Sequence, residues 1–311
     1  MQNMRTVITG GAGFIGSNLA DELARENEVI IIDDLSTGKI KNMKSILEKD
    51  NVRFIRGSVT NLHLLETTFR NVDYVFHQAA VTSVLRSLEE PEAVNNVNIN
   101  GTLNVLLAAI RNSIKKVIFA SSSAVYGDVP TLPKREKMNA IPASPYAVTK
   151  LTGEYYCRVF EKIYRIPTVC LRYFNVYGPR QDPDSRYAAV IPKFIERVSR
   201  GKPPIIFGDG KQTRDFVFIK DVVAANIMVA DTNVTGVFNI GTGRTITMSE
   251  LARLIIDIVG VRVEPNYKKR RPGDIRHSMA DISRARVFGY SPRYGLREGL
   301  QETINQFQVT L

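Results

Sequence analysis

The eight residues Thr9-Gly10-Gly11-Ala12-Gly13-Phe14-Ile15-Gly16 constrain this chain more than any other stretch. They lie between a β-branched run, Thr6-Val7-Ile8-Thr9, and a helical pattern from Phe14 to Arg25. Gly11, Gly13 and Gly16 fit GxGxxG, and Gly10, Gly13 and Gly16 fit GxxGxxG. A chain that leaves a strand, passes close under a pyrophosphate and opens a helix has no room for a side chain at the closest approach. The helix N-terminus then offers N–H donors and positive potential to the anion. Asp33 ends the next β-branched run, 17 positions after Gly16. A carboxylate there accepts hydrogen bonds from a ribose 2′-hydroxyl and repels a 2′-phosphate. Together these features predict a dinucleotide site that takes NAD rather than NADP.

The first half of the chain continues the alternation. Val29-Ile30-Ile31-Ile32, Val52-Arg53-Phe54-Ile55, Tyr74-Val75-Phe76 and Val117-Ile118-Phe119-Ala120 read as short strands between helical patterns. Apolar strands without alternation are those of a parallel sheet covered on both faces. The expected fold class is therefore α/β, a Rossmann-type doubly wound parallel sheet. After about residue 170 prolines punctuate the chain, which predicts a smaller, irregular C-terminal lobe. The expected division is a dinucleotide domain over 1–170, to which a later segment near 207–235 returns, and a substrate lobe over most of 171–311. Two long helical patterns, 93–112 and 146–164, carry too many apolar residues for one stripe. Either both lie across the sheet or they also face a second subunit.

Charge and cysteine usage narrow the function classes. Lys and Arg exceed Asp and Glu by 42 to 31, a formal charge of +11 over 311 residues. The basic residues are scattered and no nucleic-acid motif appears, so anionic small molecules are the expected partners rather than nucleic acid. No apolar run approaches the ~18 residues of a membrane span. Cys157 and Cys170 form no CxxC pair, and His63, His77 and His277 are too dispersed for a metal site. A cytoplasmic enzyme without a metal is expected. His77 ends a strand and reads as a packing or backbone-bonding residue.

Tyr146 and Lys150 stand at i and i+4 on a predicted helix and share a face. Ser121-Ser122-Ser123 closes the preceding strand at the carboxyl edge, where ligands of such sheets bind. A free phenol has a pKa near 10. A nearby ammonium and a cationic nicotinamide both favour the phenolate. A phenolate can take the proton of an alcohol while hydride leaves the same carbon.

With these residues assembled, the chain resembles the extended short-chain dehydrogenase/reductases, and among them the UDP-hexose 4-epimerases. The resemblance runs nearly end to end. It rests on Gly10-Gly11-Ala12-Gly13-Phe14-Ile15-Gly16, Asp33-Asp34-Leu35, His77-Gln78-Ala79-Ala80, Ser121 to Gly127, Tyr146-Ala147-Val148-Thr149-Lys150 and Arg172 to Arg180. It implies that Ser122, assisted by Ser123, bonds the reacting hydroxyl, that Tyr146 is the base, and that Lys150 holds the nicotinamide ribose and lowers the tyrosine pKa. It implies NAD contacts at Gly10, Gly13, Phe14, Ile15, Gly16, Asp33, Ser58, Val59, Gln78, Ala79, Ala80, Asn98 and Tyr173. It implies UDP-sugar contacts at Ser83, Asn175, Val190, Phe207, Arg214, Arg271, Asp274 and Ser278. Guanidinium groups suit a diphosphate because they donate in a planar fork. Ser58 departs from the pattern, since many relatives carry Asp there against adenine. A homodimer through the helices near 93–112 and 146–164 is a further implication.

The family also contains 4,6-dehydratases and uronate decarboxylases. Dehydratases place an Asp-Glu pair after the active Ser or Thr, and decarboxylases a glutamate in the same stretch. Here those positions are Ser123 and Ala124, neither a proton-transfer group at neutral pH. The resemblance therefore implies that a 4-keto sugar turns over in the site and is reduced from its other face. Gln78, Ser83 to Ser87 and Tyr187 to Lys193 look like UDP-N-acetylglucosamine 4-epimerases. A small residue at 278 would leave room for an N-acetyl group, so UDP-GlcNAc/UDP-GalNAc are expected along with UDP-Glc/UDP-Gal. The alternatives are a UDP-glucuronate 4-epimerase, with Arg86 or Arg186 meeting the carboxylate, a nucleotide-sugar dehydrogenase or dehydratase, and a non-catalytic NAD-binding scaffold.

Overall fold

The computed structural model describes residues 1–182, 189–270 and 275–310, with side chains to residue 307. Its centre is a seven-stranded parallel sheet. Six of its strands come in sequence: β1 (Arg5–Thr9), β2 (Glu28–Asp33), β3 (Val52–Arg56), β4 (Tyr74–His77), β5 (Lys116–Ser122) and β6 (Thr168–Tyr173). The seventh, Gly236–Ile240, pairs with β6 at one edge, and β3 forms the other. The chain runs from β1 outward to β3, then crosses back to lay β4 against the free side of β1. That reversal opens a crevice at the carboxyl ends of β1 and β4, the usual ligand position in such sheets.

Neighbouring residues of each strand point into opposite layers. Ile8, Ile31, Phe76 and Ile118 belong to one apolar cluster, and Val7, Ile30, Val75 and Val117 to the other. All eight are essentially inaccessible. Burying each contributes about 1.5–3 kcal/mol, so the two-sided pattern forces helices onto both faces.

Six helices are arranged along the first half: α1 (Phe14–Leu23), α2 (Leu62–Thr68), α3 (Val84–Glu89), α4 (Pro91–Asn95), α5 (Gly101–Arg111) and α6 (Pro145–Tyr164). The single helix expected over 93–112 is interrupted by a π-helical turn, Asn96–Asn100. Such turns insert one extra residue into a helix and are frequent at functional sites. Here the turn contains the buried Asn98.

The sheet extends past the boundary expected at residue 170, because β6 runs to Tyr173. The returning segment is also displaced toward the C-terminus. Helix Ile219–Ala230 packs on α1 and β5, and Gly236–Ile240 completes the sheet. Strand Ile205–Phe207 instead pairs with Asn266–Lys268 in a small separate sheet. The rest of the second half contains helices Val190–Ser199, Met248–Val259 and Leu296–Thr310.

Two buried polar centres tie these parts together. Asp215 is fully buried and accepts from Thr242 N and Oγ1, Gly243 N and Ala280 N at 2.7–3.0 Å. Four donors offset the desolvation of one carboxylate. Arg172 on β6 and Glu154 on α6 form a two-point ion pair at 2.7 and 2.8 Å, both about 5% exposed or less.

Candidate active site

A cavity of about 1610 Å³ opens over the carboxyl ends of the strands. Single-ligand pockets run to about 1,000 Å³, so this one has room for two nucleotides. Its floor begins at the glycine turn. Gly10 has φ +73°, and a Cβ there would lie 2.6 Å from Ala79 N. A Cβ on Gly16 would lie 2.2 Å from Gly10 O, so α1 can start this close under the turn only with glycine. Gly13 is different. A Cβ there would meet only Gly10 O, at 3.2 Å, with nothing else within 4 Å. Its missing side chain leaves open space at the N-cap of α1, whose first turn carries no acidic residue. That cradle fits a pyrophosphate.

Asp33 ends β2 at the same wall. Its carboxylate accepts from Ala12 N at 2.9 Å and Leu35 N at 2.8 Å, which fixes both loops around it. Burial raises its pKa, and those two hydrogen bonds work against the rise. The remaining lone pairs can take a ribose hydroxyl. Ser36 and Thr37 also line this end, and the reading of the sequence missed them. The signal was present as two adjacent hydroxyl residues in the loop directly after the acid.

Phe14, Ile15, Ser58, Val59, Gln78, Ala79, Ala80 and Tyr173 all line the cavity. The Ser58 hydroxyl oxygen accepts from Thr60 N and Thr60 Oγ1 at 3.3 and 3.0 Å. Tyr173 and Gln78 are joined through Asn226, whose Nδ2 donates to the phenol oxygen at 2.9 Å and whose Oδ1 accepts from Gln78 Nε2 at 3.2 Å. Burial pushes the Tyr173 phenol up to about 12.

Asn98 needs correcting. It is not on the cavity wall. Its amide accepts from Val81 N at 2.8 Å and donates to Val81 O and Thr149 Oγ1, both at 3.0 Å. The side chain is spent on holding the backbone behind the wall.

Ser122, Tyr146 and Lys150 converge at the middle of the cavity. Ser144 caps α6 by accepting from Ala147 N, and Pro145 occupies its first turn, so Tyr146 projects from the very start of the helix. Ser122 ends β5, and its oxygen accepts from Ala124 N at 3.1 Å; its side chain lines the same wall as Tyr146. Lys150, one turn along α6, donates to Ala120 O at 2.8 Å. Ser123 begins the following turn and lies off the described wall, so assistance from its hydroxyl is not supported.

The electrostatics also depart from expectation. Burial raises Tyr146 above the ordinary phenol value, and the nearby Ser122 side chain works against the rise. The Lys150 ammonium is hydrogen-bonded to the Ala120 carbonyl. Burial pushes Lys150 itself down to about 8 from its ordinary 10.5. Between those values the unfolded chain binds more protons at this side chain than the folded chain does. Stability contributed at residue 150 therefore rises as pH increases through that window. In NAD-free protein, the urea unfolding free energy of the wild type relative to Lys150→Met should grow from pH 7.5 to pH 10. A difference that stays constant with pH would contradict the buried-ammonium assignment.

At the far end Ser83, Asn175, Val190, Phe207 and Arg214 line the cavity. Arg214 Nη1 donates to Thr213 O at 2.9 Å. Ser278 does not reach the described wall. Its N–H donates to Thr213 O at 3.2 Å, which seats it beside the backbone next to Arg214, so control of the sugar pocket by its size is not supported. Arg271, Asp274 and Arg186 lie outside the described residues. Among the described residues no cluster of metal-ligating side chains occurs, and no helix is long and apolar enough to cross a membrane.

Residues 6–241 match the NAD dependent epimerase/dehydratase family. The chain belongs to this family. Its members use NAD, and the glycine cradle, Asp33 and the Tyr146–Lys150 helix are the parts of this chain that fit such a cofactor. The chain is 40% identical over 302 residues to a putative UDP-glucose 4-epimerase of Methanocaldococcus jannaschii, covering 96% of this chain and 97% of that one. The UDP-N-acetylglucosamine 4-epimerase of Methanobrevibacter ruminantium, solved with UDP-N-acetylmuramic acid, superposes with a TM-score of 0.98 at 43% identity and full coverage of both chains. The UDP-glucose 4-epimerase of Thermotoga maritima, solved with UDP-glucose, gives a TM-score of 0.94 at 40% identity, with 99% of each chain covered.

Proposed function

We propose that this member of the family is a UDP-sugar 4-epimerase that accepts N-acetylated and plain hexoses. The observation that carries the reading is that Ser122, Tyr146 and Lys150 line one cavity with the glycine cradle, with no proton-transfer side chain at positions 123 and 124. NAD, when bound, supplies the oxidant for the C4 alcohol and a positively charged ring that favours the phenolate. Ser122 holds the C4 oxygen. Tyr146 takes its proton and later returns it. Lys150 sits one turn behind as the resident cation. The diphosphate is held by the end of the cavity that contains Arg214 and Asn175. Because no acid follows Ser122, water is not eliminated across C5–C6, and the 4-keto sugar is reduced again.

The substrate range is supported by relatives of 40% identity or more that carry UDP-glucose and a UDP-N-acetyl sugar. The test is incubation of the purified protein, without added cofactor, with each C4-deuterated UDP-sugar. The expected product is the C4 epimer alone. A 4-keto-6-deoxy sugar or net NADH would replace this reading with a dehydratase or dehydrogenase.

A homodimer is part of the proposal. Val148, Tyr155, Val159 and Ile163 leave α6 with 45–62% of their surface exposed, and Val84, Leu85 and Leu88 on α3 beside it are 42–60% exposed. A contiguous apolar stripe of this kind suits a second copy of the chain. Val105 and Leu106 on α5 are buried in the core beneath, so the segment 93–112 would join such a pairing through its outward face beside α6.

A further inference from the structure

We propose that His77, held as a neutral imidazole with its proton on Nε2, is the positioning residue that locks the dinucleotide floor to the helix bearing Tyr146. His77 ends β4 at the point where the strand order reverses, and it is 1% exposed. It was expected to be a packing or backbone-bonding residue; it is buried, and both its nitrogens meet side-chain hydroxyls. Nδ1 lies 2.7 Å from Thr9 Oγ1 and Nε2 lies 2.9 Å from Thr102 Oγ1.

The hydroxyl protons decide the tautomer. Thr102 has one proton and gives it to Asn98 O at 2.6 Å. Toward the imidazole it can only accept, so the ring proton sits on Nε2. The Nδ1 lone pair then accepts from Thr9 Oγ1. That leaves the Thr9 oxygen to accept from Ala79 N at 3.4 Å. The opposite tautomer would set two lone pairs against each other between His77 and Thr102. Burial disfavours an imidazolium here, and the Lys150 ammonium adds to that.

The chain of bonds reaches both halves of the site. At one end it holds Ala79, and through Asn98 it holds Val81, both on the cavity wall. At the other, Asn98 donates to Thr149 Oγ1, which donates to Tyr146 O at 2.8 Å. Val81 reaches Tyr146 through Asn98 and Thr149, and the imidazole ties the Thr9–Ala79 side of the floor to the same network through Thr102. Misplacing reacting groups by about 1 Å can cost about 100-fold in rate, so a partial release should cost about tenfold.

The catalytic half of the claim rests on the proposed epimerase reading; the tautomer does not, and it is measured without substrate. In histidine-15N-labelled holoprotein at pH 7, long-range 1H–15N spectra should show the neutral Nε2–H form for the signal that disappears in His77→Phe. Thr102→Val removes the acceptor while keeping the shape of the side chain. It should lower kcat about tenfold with KM for the UDP-sugar within about twofold, and Thr102→Ser should restore kcat. An Nδ1–H or imidazolium signal would overturn the proposal. So would wild-type kcat in Thr102→Val, or a loss that Thr102→Ser does not restore. A wild type that turns over no UDP-sugar would remove the epimerase reading, and the 15N signal would still decide how His77 is held.

Discussion

Tyr146→Phe should lower kcat for C4 epimerisation by about 10²–10⁴-fold, the range of a lost general acid–base group. KM for the UDP-sugar should change little, because the phenol oxygen acts on the proton of the reacting alcohol and the ring is retained. The fold should survive as well. Tyr146 is 8% exposed, and Phe fills the same space. What is lost is one hydroxyl on the cavity wall beside Ser122. Steady-state kinetics with thermal unfolding on the same preparation checks both halves. A variant that keeps a tenth or more of wild-type kcat would remove Tyr146 from the chemistry.

Glu154→Leu should cost about 3–5 kcal/mol of stability, although no residue on the cavity wall is changed. Arg172 is 4% exposed, and Glu154 is the carboxylate paired with it at two points. Removing Glu154 leaves a guanidinium in the interior with its charge uncompensated. It also removes the carboxylate to which Ser121, next to Ser122, donates. The double variant Glu154→Leu with Arg172→Met removes both charges together and should recover most of the loss. Urea unfolding of the two variants checks this. A single variant within about 1 kcal/mol of wild type would show that the pair is not isolated from water.

Much of the dinucleotide half was legible because its signals are local. The glycine turn, the acid at the end of β2 and the i, i+4 pair on α6 are set by spacing along one or two elements. The same is true of the strands, whose β-branched runs have one possible use between helices. What escaped was decided across the chain. Asn98 is aligned with cofactor-contacting residues, yet its amide is consumed by residues 17 and 51 positions away. The small side chain of Ser278 suggested room for a sugar substituent, but the residue is paired through its backbone with Thr213 and is not on the cavity wall. The effect of Lys150 on Tyr146 was read from their shared helix face. The carbonyl of Ala120 takes the ammonium instead, and no pattern within α6 records it. The sheet edge was missed for a similar reason: whether Gly236–Ile240 or Ile205–Phe207 joins the main sheet depends on which one finds β6.

The most direct measurement follows the C4 deuterium of a UDP-sugar through one turnover in ordinary water with no added cofactor. The expected product is the C4 epimer with the deuterium still on C4, because the atom leaves and returns within a closed site. Epimer that carries solvent hydrogen at C4 would contradict it, as would the absence of any epimer from holoprotein with its NAD in place.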